Sequence, residues 1–125
     1  MKKLRAILID PFTMNITEHE IDSGIDAIYK LGQYESFDVI ELPNGDTIYV
    51  DDEGLFKGRQ QDATGMKRGF VVLKHEDDFN HSVLTPPLIG RGVILGVNKN
   101  TGNSINVKTK VSDLAVAFFR TSNSI

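Results

Sequence analysis

Lys57, Arg59, Lys67, Arg68 and Arg91 are the residues whose chemistry is easiest to name, because ammonium and guanidinium groups gathered around glycine and glutamine can hold a phosphate or another anion. Four of them fall between Phe56 and Arg68, a polar stretch punctuated by Gly58, Gly65, Gln60 and Gln61 that reads as a long surface loop. The competing reading is a loop whose charges simply face water. Arg91 stands apart, inside Gly90-Arg91-Gly92. That segment is not a phosphate-binding loop, since no Lys-Ser/Thr follows and the glycine spacing fits no dinucleotide fingerprint.

His75, Asp77, Asp78 and His81 form a second constellation, with Glu76 between them, and these are donor types for zinc or manganese. The spacing is unfavourable. Metal-binding histidines are commonly pre-aligned by helix or strand geometry, whereas six residues of polar loop align nothing in advance. A solvated acidic loop is the stronger reading, so these four are weak metal candidates and no cofactor is expected. Glu18-His19-Glu20 offers an imidazole beside carboxylates, yet neighbours on a strand point to opposite faces. Asp51-Asp52-Glu53-Gly54 starts like a calcium loop but lacks the later oxygen ligands and closing glutamate, and reads as a turn. No serine sits in a nucleophile-elbow sequence. With no cysteine in the chain, thiolate chemistry, thiolate metal sites and disulfides are excluded together.

The elements that would position these groups are mostly strands. Lys3 to Ile9 and Thr13 to Ile21 read as an N-terminal hairpin. Ile25, Ile28, Tyr29 and Leu31 recur at helical spacing, with Ser23 as the expected N-cap and Gly32 as the expected stop. Asn44-Gly45, between Phe37–Leu42 and Thr47–Val50, predicts a central hairpin closed by a type I′ turn. Gly69–Leu73 and the glycine-bearing run Leu88–Val97 are further strands, the latter with a bulge or a close backbone approach. Residues 112–120 are open between a short helix capped by Ser112 and a strand. The expected fold is therefore α+β: a single domain over 1–125, mostly antiparallel sheet with a central hairpin and one or two short helices.

Composition narrows the function classes. Across 125 residues the net charge is −3, and the acidic excess lies in residues 1–70, which hold 8 Lys/Arg against 13 Asp/Glu. Such a chain has no broad attraction for nucleic acid or an anionic membrane. The apolar run Ala6–Ile9 is too short for a signal sequence and ends at Asp10-Pro11, so a cytoplasmic location is expected.

Leu8-Ile9-Asp10-Pro11, Glu20-Ile21-Asp22, Val39-Ile40-Glu41-Leu42 and Glu53-Gly54-Leu55-Phe56 occur in an order that resembles small phage and mobile-element proteins sharing a domain of unknown function. The similarity spans residues 4–96 and departs after Lys57, where Gly58-Arg59-Gln60-Gln61 replaces the family's Leu-Pro-Leu-Asn-Arg. The resemblance implies an accessory protein acting inside a host cell, with no catalytic residues to carry over. Three functions follow in order: a non-enzymatic protein that binds a host protein and modulates host function or defence, a binder that sequesters a nucleotide-like small molecule, and a metal-dependent hydrolase. Homo-oligomerisation through a sheet edge is compatible with the first.

Overall fold

Alternating side chains that are apolar on both faces identify a strand covered from two sides, and Lys3–Asp10 (β1) is such a strand, with Ala6 to Ile9 all buried. The computed structural model describes residues 3–34, 36–54, 60–74 and 83–122. Around β1 runs an antiparallel sheet built from Asn15–Asp22 (β2), Phe37–Glu41 (β3), Thr47–Asp51 (β4) and Gly92–Val97 (β7), in the order β2-β1-β7-β4-β3. Ser104–Ile105 (β8) adds a short pairing at the end of β7. A second sheet contains Lys67–Leu73 (β5), Leu88–Ile89 (β6) and Ala115–Thr121 (β9), in the order β6-β5-β9. The described residues are thus mostly antiparallel sheet, with one short α-helix among them, Ile25–Gly32 (α1).

Each face of the large sheet has its own cover. Leu4, Ala6, Leu8, Tyr49, Val93 and Leu95 pack with Ile28 of α1 and with Tyr34. Ile7, Ile9, Ile48, Val50 and Ile94 point the other way and meet Phe70, Val72 and Leu88 of the small sheet. Burying a side chain of this size stabilises the fold by about 1.5–3 kcal/mol. The two sheets approach closely because of Gly92. A Cβ built there would lie 2.5 Å from the Phe70 ring, so any side chain would push the layers apart.

β3 and β4 pair in register from Phe37 opposite Asp51 to Glu41 opposite Thr47, but the turn between them is not the type I′ expected. Only Gly45 of the Asn-Gly pair has positive φ, 91°. Gly45 N–H donates to the Leu42 carbonyl and Leu42 N–H to the Asp46 carbonyl, closing a three-residue loop of Pro43, Asn44 and Gly45. Proline fixes φ near −65° at the first loop position, which selects an ordinary turn followed by a glycine bulge. Asp46, next in line, is completely buried. Its carboxylate accepts from the Lys108 and Thr109 amides and the Thr109 hydroxyl, tying the segment after β8 to this turn.

The helix ends differ from expectation as well. Gly24, not Ser23, occupies the N-cap position, and no side chain caps it. At the other end Gln33 takes the left-handed conformation (φ 58°), while Gly32 is buried beneath the Tyr34 ring. Residues 112–120 resolve into a single 3-10 turn, Val111–Asp113, followed by β9. The β-branched and aromatic residues there pair along the whole length of β5, Lys67 opposite Thr121 through Leu73 opposite Ala115. No helix among the described residues is long and apolar enough to cross a membrane.

Candidate functional site

The five predicted anion contacts do not converge as free cations. Lys57 and Arg59 lie outside the described residues, as do His75, Asp77, Asp78 and His81. Lys67 and Arg68 belong to β5 rather than to a loop, because the part of the polar stretch that is described, residues 60–68, folds back tightly on itself. Asp62 N–H donates to the Met66 carbonyl, Gly65 N–H to the Asp62 carbonyl, and Arg68 N–H to the Gln60 carbonyl. Lys67 is 1 % exposed, and its Nζ donates to the Gly54 carbonyl at 2.7 Å. A buried ammonium held this way joins two segments of chain and does not present its charge to solvent.

Arg68 donates through Nε to Asp62 at 2.6 Å. The Thr64 hydroxyl and this guanidinium together hold the Asp62 carboxyl well below the usual carboxylate range. Arg91 lies over the Phe12 ring, 4.5 Å from its centroid, with Nε 3.4 Å from Asp10. Lys67, Arg68 and Arg91 thus each have an acid or a carbonyl already in place. A phosphate at any of them would have to displace that partner, and Coulomb attraction for a new anion is reduced by the resident carboxylate.

The remaining acidic candidates stay dispersed. His19 accepts or donates a hydrogen bond with the Thr17 hydroxyl on exposed β2, 2.7 Å away. Asp51 receives Glu53 N–H at 2.9 Å and the Gln60 amide at 2.6 Å, so the acidic Asp51–Gly54 segment is a hydrogen-bonded turn. Among the described residues no three His, Asp or Glu side chains gather as metal ligands would.

What stands open is a strand edge. β9 is the last strand of the small sheet, and among the described residues no strand pairs with its outer side. Val116 and Phe118 point into the core against Val72 and Phe70. By alternation, Ala115, Ala117 and Phe119 face away from it, with Ala117 exposed and Phe119 half-buried across Gly69. The run from Ala115 to Phe119 carries no charge. Sequence reading left this segment between helix and strand and so missed the edge. The available signal was its uncharged, β-branched and aromatic content, which suits a pleated surface better than a helix.

No family model, curated protein or solved structure matches this chain. Its function must therefore be argued from its own surfaces.

Proposed function

We propose that this protein is a non-enzymatic accessory protein that binds a partner protein by taking an extended segment of it onto β9. The observation that carries this reading is the outer edge of β9, which no strand pairs among the described residues and which is uncharged from Ala115 to Phe119, with Arg120 beyond. Unpaired backbone amides and carbonyls along such a strand form a template for another strand, with main-chain hydrogen bonds giving affinity and the alternate side chains giving selectivity. The resemblance to small phage proteins supplies the class of partner, a protein of the host cell whose function or defence is altered by the contact. Sequestration of a nucleotide-like anion by Lys67, Arg68 and Arg91 is the weaker reading, because their charges are already engaged.

The test is affinity capture from host lysate with the wild-type chain and with Ala117→Lys, since an edge lysine is the usual obstacle to strand addition. The expected result is one specific protein retained by the wild type and lost with Ala117→Lys. Hydrogen exchange on the purified pair should show new protection of the β9 amides. Capture that is equal with both chains, no specific capture at all, or protection confined to other strands would overturn the proposal.

A further inference from the structure

On the opposite face of the large sheet, α1 and the turn between β7 and β8 enclose a cleft of about 650 Å³. Ile28, Phe37 and Tyr49 contribute its apolar part, with the Phe37 and Tyr49 rings edge-on at 4.9 Å, and Asn98, Thr101 and Asn103 contribute polar groups. Among the described residues no charged side chain lines it. Two sets of hydrogen-bonding groups have no side-chain answer. The first turn of α1 begins at Gly24 without a side-chain cap, leaving backbone N–H donors at the cleft. Tyr49 is 9 % exposed, and its hydroxyl has no hydrogen-bond partner among the described residues. Its backbone is paired to Val39 on one side and Val93 on the other, so the side chain is what reaches the cleft. A buried phenol is normally hydrogen-bonded.

We infer that this cleft binds an uncharged planar ring bearing carbonyl and ring N–H groups, stacked against the Phe37–Tyr49 pair and hydrogen-bonded to the Tyr49 hydroxyl and the α1 amides. A volume of this order suits a small organic ligand, and the mixed lining, aromatic and aliphatic on the sheet side and polar along the β7–β8 turn, suits a ring with an apolar face and polar edges. That no cation among the described residues lines the cleft argues against a phosphate or carboxylate as the recognised group. This inference does not rest on the β9 reading, because the small sheet and α1 cover opposite faces of the large sheet.

Amide-resolved NMR titration with uracil, hypoxanthine and 2-pyridone tests it, with orotate and 6-hydroxynicotinate as charged counterparts. Saturable shifts confined to residues 23–25, 49 and 98–105 are expected for at least one neutral probe, with weaker binding of its carboxylated counterpart. Tyr49→Phe keeps the ring and should weaken that probe about 3–10-fold, the loss of one neutral hydrogen bond. Asn103→Trp, at an exposed position on the rim, should block it. No saturable shift with any neutral probe, unchanged affinity in Tyr49→Phe, or tighter binding of the carboxylates would overturn the inference.

Discussion

β2 and β3, the edges of the large sheet, carry Glu18, Glu20 and Asp22 on one side of the molecule and Asp38 and Glu41 on the other, whereas β9 at the edge of the small sheet has a single charge, Arg120 near its end, after the uncharged run Ala115 to Phe119. Faces follow the same division. The large sheet is covered by α1 on one side and by the small sheet on the other, while among the described residues the small sheet contributes one face to the core. Charged side chains along an edge oppose the approach of a further strand, and a doubly covered sheet has little apolar surface left to offer. The large sheet is accordingly the scaffold, and the small sheet is the element with spare bonding capacity.

Phenylalanines on the two faces of the small sheet give the sharpest break of that comparison. Phe70 is completely buried between the sheets, and Phe70→Ala should cost about 3–5 kcal/mol in a urea melt. Phe119 faces outward, and Phe119→Ala should cost only about 1 kcal/mol, in proportion to the smaller apolar area it covers. Equal losses would mean that the outer face is as well covered as the inner one, and the distinction between scaffold and contact element would fail.

The next effect belongs to the large sheet alone. Asp46→Ala removes a completely buried carboxylate and leaves the partly buried Lys108 and Thr109 amides without it, so it should lower stability by about 1–3 kcal/mol. Hydrogen exchange should show the loosening at residues 107–109 and the β3–β4 turn, with β9 unchanged.

Tyr34 tests the helix-covered face at a smaller scale. Its hydroxyl donates to the Tyr49 carbonyl at 3.0 Å, and burial, more than the nearby Asp51, raises its pKa far above that of a free phenol. A folded-state pKa raised above the unfolded value gives stability that is present below about pH 10 and lost as the pH climbs past it. Tyr34→Phe should cost about 1 kcal/mol at neutral pH and should reduce the alkaline loss.

Much of this architecture was legible in the residues. An apolar run closed by Asp10-Pro11 marked β1, alternation marked β2, apolar-rich runs on either side of Asn44-Gly45 marked β3 and β4, and the spacing of Ile25, Ile28, Tyr29 and Leu31 marked α1. The misjudged details share a cause, which is that a local signal was overruled by a neighbour or by tertiary contact. Pro43 changed the turn that Asn44-Gly45 alone would favour, and Tyr34 claimed Gly32 for packing while Gln33 took the left-handed position. Pairing with β5 settled β9. The candidate site was less legible, because a sequence shows that Lys67, Arg68 and Arg91 are cations but not that Gly54, Asp62 and Asp10 already face them. Those partners lie 13, 6 and 81 positions away, and nothing in the local pattern links them.

The smallest expected effect compares two ion pairs, one on each sheet. Asp22 on β2 accepts from Lys3 on β1 at 2.6 Å, with the two side chains 44 % and 56 % exposed, while Asp62 accepts from Arg68 at the same distance with 13 % and 24 % exposed. Both carboxyls sit below their ordinary pKa, Asp22 because of Lys3 and Asp62 because of Thr64 and then Arg68. The sign is therefore the same for both: each contributes stability that is present above the ordinary carboxylate value and lost as the pH falls below about 4. Screening separates them. At about 1 M salt the Debye length shrinks to ~3 Å, which erases attraction between well-exposed charges and spares a pair that is partly withdrawn from solvent and hydrogen-bonded to neighbouring amides. In double-mutant cycles, the Lys3–Asp22 coupling should vanish in high salt and the Asp62–Arg68 coupling should persist, with Asp62→Asn loosening the start of β5 before any strand of the large sheet. Loss of both couplings together would show that the fold-back at 60–68 is held by solvent-exposed charge alone, and that the small sheet is no better anchored at that end than the large sheet's edge.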